Sequence, residues 1–391
     1  MNYHISRRAA SLSPSLTLAI DAKAKQMKAE GQDVVGFGAG EPDFDTPQHI
    51  KDAAAKALAE GFTKYTPSSG IPELRQAIAD KFKRDNGLSY KPSQIIVSCG
   101  GKHSCYNVIL AICQAGDEVI IPAPYWLSYP EMVKLAEATP VILPTTDKTE
   151  FKVTPDQLRA AITPRTRLFL LNSPSNPTGS LYSREEIKAL GDICVENGAL
   201  IMSDEIYEKL VYDGAEHISV ASFSPAHYEH TIVVHGLAKA YSMTGWRLGY
   251  LAAPEPIAKA IDAIQSHSTS NPTSFAQKGA VAALNGPQDH LPNWLAEYAK
   301  RRGYAHAKLN SIPGISCVNA KGAFYLFPNI SKLGLKSTEF CAKLLEQEKV
   351  AAVPGIAFGA EDYIRISYAT SMANIEKGLE RLEKFARRLM K

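Results

Sequence analysis

The 391-residue chain holds only six cysteines and no Cys-x-x-Cys pair, so it offers neither a disulfide framework nor a zinc site. Cys99, Cys105 and Cys113 fall in an apolar stretch and read as buried thiols, which suits a reducing cytoplasm. Net charge is scarce: 43 basic against 40 acidic residues give a formal +3, too little to imply a nucleic acid or a membrane surface as partner. No apolar run is long enough to cross a bilayer. Ser6-Arg7-Arg8 glances at a twin-arginine export signal, but the run behind it is broken by Pro14 and stops at Asp21, so it is not read as one. Internal repeats and low-complexity tracts are missing. So are the GxxxxGK[ST] phosphate loop and a GxGxxG turn after a strand, which argues against a nucleotide-binding protein.

What the chain does have is a 45% hydrophobic fraction, enough for a sizeable core and two domains. Residues 1–14 read as an exposed arm and 18–30 as a helix. Residues 34–37 form a short strand that runs into the turn Gly38-Ala39-Gly40-Glu41-Pro42-Asp43. A helix spans 50–60, and Gly70-Ile71-Pro72-Glu73-Leu74-Arg75 starts another, with proline and an acid in its first turn. Strands at 95–97, 118–121, 141–143, 167–171, 199–202 and 231–234 alternate with helices such as 103–113 and 184–196. That alternation predicts an α/β fold with a mainly parallel sheet covered on both faces. Beyond 255 come helices including 295–309. Short strands at 315–318, 323–327 and 363–368, with helices at 337–347 and 373–390, predict a smaller α+β domain.

Reactive residues cluster just past the predicted strands. Lys239 follows Thr231-Ile232-Val233-Val234 among small and apolar neighbours, with Arg247 eight residues on. A lysine desolvated near another cation favours its free amine, a nucleophile for aldehydes, and an arginine fork suits a phosphate. The pair points to pyridoxal phosphate. Gly100-Gly101-Lys102 turns from strand into helix and exposes amides that suit an anion, although a plain tight turn has the same residues. Trp126, past another strand, can stack on a flat ring or fill core. Asn176 lies in a polar turn and either binds a ligand or bonds its own backbone. Asp204, at a strand end, can hold a pyridine nitrogen protonated or cap the next turn. Arg365 sits inside an apolar strand and needs an anion there, from substrate or from a structural acid. Ligands of open α/β sheets bind at the carboxyl ends of strands, where Gly100–Lys102, Asn176, Asp204 and Lys239 all fall.

In combination these residues resemble the class-I aminotransferases of the fold-type I pyridoxal-phosphate enzymes, over nearly the whole chain. The carriers are Gly38 to Asp43, Tyr65, Gly100-Gly101-Lys102, Pro124-Tyr125-Trp126, Asn176-Pro177-Thr178-Gly179, Asp204-Glu205-Ile206-Tyr207, Lys239 with Arg247, and Arg365. Within the class the chain is similar to the bacterial and plant aspartate aminotransferase subgroup, some members of which use prephenate. The resemblance implies a large domain over 46–290, with a doubly wound sheet carrying the cofactor. It implies a smaller α+β domain over 291–391, with 1–45 supplying the N-terminal arm and part of that smaller domain.

It also implies roles. Lys239 is the Schiff-base lysine and moves the α-proton. Arg247, the Gly100 and Gly101 amides and Tyr65 grip the phosphate, with Tyr65 reaching in from the second subunit of a homodimer. Trp126 stacks on the ring, Asp204 pairs with its nitrogen, and Asn176 and Tyr207 hold its phenolic oxygen. Arg365, Asn176 and the Gly40 backbone bind the substrate α-carboxylate. Two features depart from the most familiar relatives. Gly236 and Ala238 flank Leu237 where a phosphate-binding serine is common, and residues 268–274 lack the usual distal-carboxylate arginine. That second task falls to Lys102 with Ser15 and Thr17, unless Lys102 serves the phosphate. The implied reaction is ping-pong transamination between aspartate and 2-oxoglutarate. Prephenate is the alternative substrate, and a C–S lyase or a non-catalytic cofactor-binding regulator the other outcome.

Overall fold

The computed structural model describes residues 3–391, so Met1 and Asn2 of the expected arm lie outside the described residues. Strand β1 (Val35–Gly36) precedes the strands of the central sheet: β2 (Ile95–Ser98), β3 (Glu118–Ala123), β4 (Thr139–Pro144), β5 (Thr166–Asn172), β6 (Leu200–Asp204), β7 (Thr231–Gly236) and β8 (Gly249–Ala252). Among the described residues their order is β2-β8-β7-β6-β5-β3-β4. The pairs β3–β4, β3–β5, β5–β6 and β6–β7 are parallel. β8 runs antiparallel to both β2 and β7. Two reversals restore direction, so β2 points the same way as β7, and the six strands other than β8 share one carboxyl edge. β8 is not foreseen from the sequence. An antiparallel return needs no helical crossover, so no strand–helix alternation announces it.

Strand side chains alternate between faces, and each face has its own cover. Ile95 and Val97 pack into a core with Phe82 and Tyr250, whereas Ile96 packs with Val108 and Val119. Phe169 and Leu171 face a third core with Ile187 and Leu190. Burial on both faces is why these strands read as continuous apolar runs. The covering helices start where local chemistry dictates. Pro72 occupies the first turn of helix Pro72–Asn86. Ser183 and Glu186 form a capping box on helix Arg184–Glu196, a motif worth about 1 kcal/mol.

The C-terminal part carries β9 (Tyr325–Leu326), β10 (Val350–Ala351), β11 (Val353–Pro354) and β12 (Ile364–Ser367). β1 pairs in parallel with β10, and the other three form an antiparallel sheet in the order β11-β12-β9. Phe37 joins Phe324, Phe340, Leu379 and Phe385 in the core of this part. The strand expected at 315–318 does not form; Ser316 makes only an isolated bridge to Asn329. Side chains of helix His290–Asn310 take the neighbouring backbone groups instead: Asn310 Oδ1 accepts from Cys317 N–H at 3.0 Å, and Asn310 Nδ2 donates to Cys317 O at 3.0 Å. No helix among the described residues is long and apolar enough to cross a membrane.

Candidate active site

β7 ends at Gly236, Leu237 and Ala240 bury themselves in the core beneath, and Lys239 stands between them at the carboxyl edge. Its Nζ donates to the Gly40 carbonyl and lies 5.7 Å from the centre of the Tyr207 ring and 5.6 Å from that of Phe324. Burial, then the Arg365 and Arg247 charges, push its pKa down to about 8, with Glu41 working in the opposite direction. About a tenth of the side chain is therefore free amine at pH 7, where an unperturbed lysine offers almost none.

Asp204, the last residue of β6, is 6% exposed. Its Oδ2 accepts from the Tyr129 hydroxyl at 2.6 Å, and Cys105 Sγ lies 3.8 Å away. Oδ1 accepts from Ile206 N–H at 3.3 Å, an Asx turn rather than a helix cap. Burial lifts the carboxyl pKa to about 6, against the pull of Tyr129, Ile206 and Cys105 toward the ionised form. Asn172, at the end of β5, donates to the Asp204 carbonyl at 3.0 Å and accepts from Asn176 N–H at 2.8 Å, tying the polar turn to the sheet.

Arg365 lies on β12 and is 2% exposed. Its Nη1 donates to Asn176 Oδ1 at 2.9 Å and its Nη2 to Gly38 O at 2.8 Å, while the guanidinium sits 4.5 Å over the Tyr325 ring. No carboxylate is among these partners, and Nε is buried without one. A buried guanidinium without a carboxylate partner suits an anion.

The third group surrounds the start of helix Gly101–Ile112. Arg247 has φ 54° and donates from Nη1 to Thr244 O at 2.9 Å. Gly100 has φ +93°, and a Cβ there would come within 2.5 Å of Arg247 Nη2. Any Cβ on Gly249 of β8 would collide with the Gly100 and Gly101 backbone, so only glycine lets this turn rest on the sheet. A helix N-terminus beside a guanidinium suits an anion such as phosphate. Lys102 stands at the open mouth with Nζ 5.0 Å over the Trp126 ring, and partial desolvation, then Arg247, lowers its pKa.

Other expected residues stand apart from these contacts. Tyr65 is 91% exposed and makes none of them within the chain. Ser15 caps helix Leu16–Ala29, accepting from Leu18 N–H at 3.4 Å, while the Thr17 hydroxyl is buried without a hydrogen-bond partner. Sequence reasoning missed Tyr325, whose hydroxyl meets that of Tyr207 at 2.9 Å. It also missed Tyr129, in the first turn of helix Ser128–Leu135, whose ring meets Trp126 edge to face at 5.1 Å. Beneath the site, Lys81 and Glu208 form a fully buried ion pair at 2.5 Å, with His235 Nε2 3.3 Å from Glu208. Burial opposes the Glu208 charge, but Lys81 and His235 hold its pKa well below the usual range.

A softened lysine amine, a buried carboxylate, a half-buried indole and an arginine–glycine cradle along one sheet edge define an enzyme built around an aldehyde that carries a phosphate. The chain belongs to the aminotransferase class I and II family, whose model matches residues 32–382. It is 53% identical to an aspartate aminotransferase of Geobacillus stearothermophilus over 386 residues, covering 97% of this chain and 98% of that one. It is 48% identical to an aspartate/prephenate aminotransferase of Nitrosomonas europaea over 390 residues, covering 97% and 98%. Its fold superposes with a TM-score of 0.94 and 44% identity on an aspartate aminotransferase of Thermus thermophilus with maleate, over 98% of this chain and 100% of that one. The family's cofactor is pyridoxal phosphate. The Gly100 turn beside Arg247 and the depressed Lys239 pKa fit it.

Proposed function

We propose that this enzyme transfers the amino group of L-aspartate to 2-oxoglutarate, giving oxaloacetate and L-glutamate by a ping-pong sequence. The observation that carries the reading is the presence of two cations that lack an acid partner in these contacts, Arg365 deep in the site and Lys102 at its mouth. Two separate cations suit a substrate with two carboxylates. The Thermus relative with maleate, itself a dicarboxylate, supports the same choice.

Pyridoxal phosphate, when bound, supplies an electron sink for the pair left on the substrate's α-carbon. In this reading Lys239 holds its aldehyde carbon, Asp204 faces its ring nitrogen, Trp126 covers one ring face, and Asn176 and Tyr207 hold its phenolic oxygen. Arg247 and the Gly100 and Gly101 amides hold its phosphate, joined by Tyr65 from the second subunit of a homodimer. The 91% exposure of Tyr65 supports that last assignment. Arg365, Asn176 and the Gly40 backbone hold the α-carboxylate. Lys102, Ser15 and Thr17 hold the distal one, for which the unpartnered Thr17 hydroxyl is suited. Once the substrate amine has replaced it on that aldehyde carbon, the freed Lys239 amine would take the α-proton and return it across the nitrogen to the former aldehyde carbon. A pKa of about 8 suits it to both tasks near neutral pH. We place domain limits near residues 45 and 290, in keeping with the pairing of β1 with β10. The unpaired cysteines support a reducing cytoplasm.

A panel of amino donors and oxo-acid acceptors tests the reading. Aspartate with 2-oxoglutarate should give the highest kcat/KM, and borohydride should fix the cofactor on Lys239. Pyruvate and ammonia released without an acceptor would identify a lyase instead. Prephenate is the second reading, favoured by its two carboxylates and by the Nitrosomonas relative; a higher kcat/KM with prephenate would select it.

A further inference from the structure

Tyr129 belongs to helix Ser128–Leu135 and is 1% exposed. It makes two contacts at right angles to each other's purpose. Its hydroxyl donates to Asp204 Oδ2 at 2.6 Å, and its ring meets Trp126 edge to face at 5.1 Å and 84°. Cys105 Sγ lies 3.8 Å from the same Asp204 oxygen. Oδ2 is thus occupied by two side chains from two helices, whereas Oδ1 has only a 3.3 Å contact with Ile206 N–H. The oxygen left open is Oδ1.

We propose that Tyr129 is a positioning residue of the cofactor site: its hydroxyl, seconded by Cys105, turns Asp204 so that an ionised Oδ1 meets the cofactor's ring nitrogen, and its ring braces Trp126 against the same cofactor. The proposal rests on the reading that Asp204 faces that nitrogen. Without donors on Oδ2 the carboxylate would keep only the 3.3 Å contact with Ile206 N–H against burial, which favours its neutral form. The pull matters because burial already lifts Asp204 to a pKa of about 6. Glu205 beside it pushes further upward, and Tyr207 and Lys239 also face it. A protonated Asp204 cannot accept the ring proton, and the electron sink weakens accordingly. One side chain therefore couples the electronic partner of the ring to its stacking partner.

The two contacts separate by substitution. Tyr129→Phe keeps the ring against Trp126 and removes the donor; Tyr129→Leu removes both. The holoenzyme is reconstituted with pyridoxal phosphate labelled with ¹⁵N in the ring, and its resonance is read at neutral pH. In the wild type it should report a protonated nitrogen. In Tyr129→Phe it should move toward the free-base value, with the dissociation constant of the cofactor rising about tenfold. Tyr129→Leu should add a loss of tryptophan quenching by the bound cofactor. A Tyr129→Phe holoenzyme that binds weakly with an unmoved resonance would overturn the proposal, since a merely structural role predicts that pattern. If Tyr129→Phe holds no cofactor, Cys105→Ala decides: a smaller displacement in the same direction supports the proposal, and none overturns it. An unprotonated ring nitrogen in the wild type would instead remove the reading of Asp204 on which it rests.

Discussion

Replacing Lys239 by methionine should stabilise the cofactor-free protein near neutral pH, because the native lysine is charged there at a cost. Its pKa falls from an ordinary 10.5 to about 8. At ~1.4 kcal/mol per unit of pKa, the penalty for keeping the ammonium protonated in the folded state is about 3 kcal/mol. Partial exposure of the side chain screens this to about 2 kcal/mol. The pH dependence has a definite sign. Below the folded value of about 8 the proton is bound in both states, so the whole penalty is present. Between about 8 and 10.5 the unfolded chain binds more protons than the folded one, and wild-type stability climbs with pH. Methionine has similar length and no charge, so the variant lacks this climb. Its lost hydrogen bond to Gly40 O adds an offset that does not vary with pH. Urea unfolding of both apoproteins from pH 7 to pH 10 measures the difference. The methionine advantage should shrink by about 2 kcal/mol across that range. A constant difference would mean that packing, and not ionisation, separates them, and the account of Lys239 as a softened amine would fail.

Lys102→Ala should lower kcat/KM for aspartate roughly 30-fold and for phenylalanine less than about threefold; equal losses in paired kinetic assays would assign Lys102 to the phosphate. Gly100→Ala puts a side chain at φ +93° and within 2.5 Å of Arg247 Nη2. It should weaken pyridoxal phosphate binding about tenfold by equilibrium dialysis, with about 1 kcal/mol of backbone strain visible in the melting curve. Arg365→Lys loses the fork that serves Asn176 and Gly38 together, so kcat/KM should drop roughly 100-fold for every amino donor. A loss confined to dicarboxylic donors would move Arg365 to the distal carboxylate.

Helix Arg184–Glu196 was legible to the residue, because its capping box and apolar spacing are both local. The strands that lead to Gly100, Asn176, Asp204 and Lys239 were legible for the same reason, as short apolar runs closed by turn residues. β8 was not, since its antiparallel place between β2 and β7 is a property of pairing rather than of its own four residues. Nor was the hold of Tyr129 on Asp204, across 75 positions, or that of Arg365 on Asn176, across 189. Side-chain periodicity reaches one or two turns along a chain and says nothing about partners at such separations.

The order of residues alone settled the parallel strands of the central sheet and helices such as Arg184–Glu196, though neither β8 nor the lack of a strand at 315–318. It also settled that reactive groups follow strand ends, because propensity and turn chemistry act over a few neighbours. Whether those ends coincide was decided in three dimensions. β8 reverses direction twice between β2 and β7, and that places the Gly100 turn on the same edge as Lys239. The pKa values belong to the tertiary structure too: desolvation and neighbouring charge set Lys239 to about 8 and Asp204 to about 6, and neither burial nor proximity exists in an extended chain.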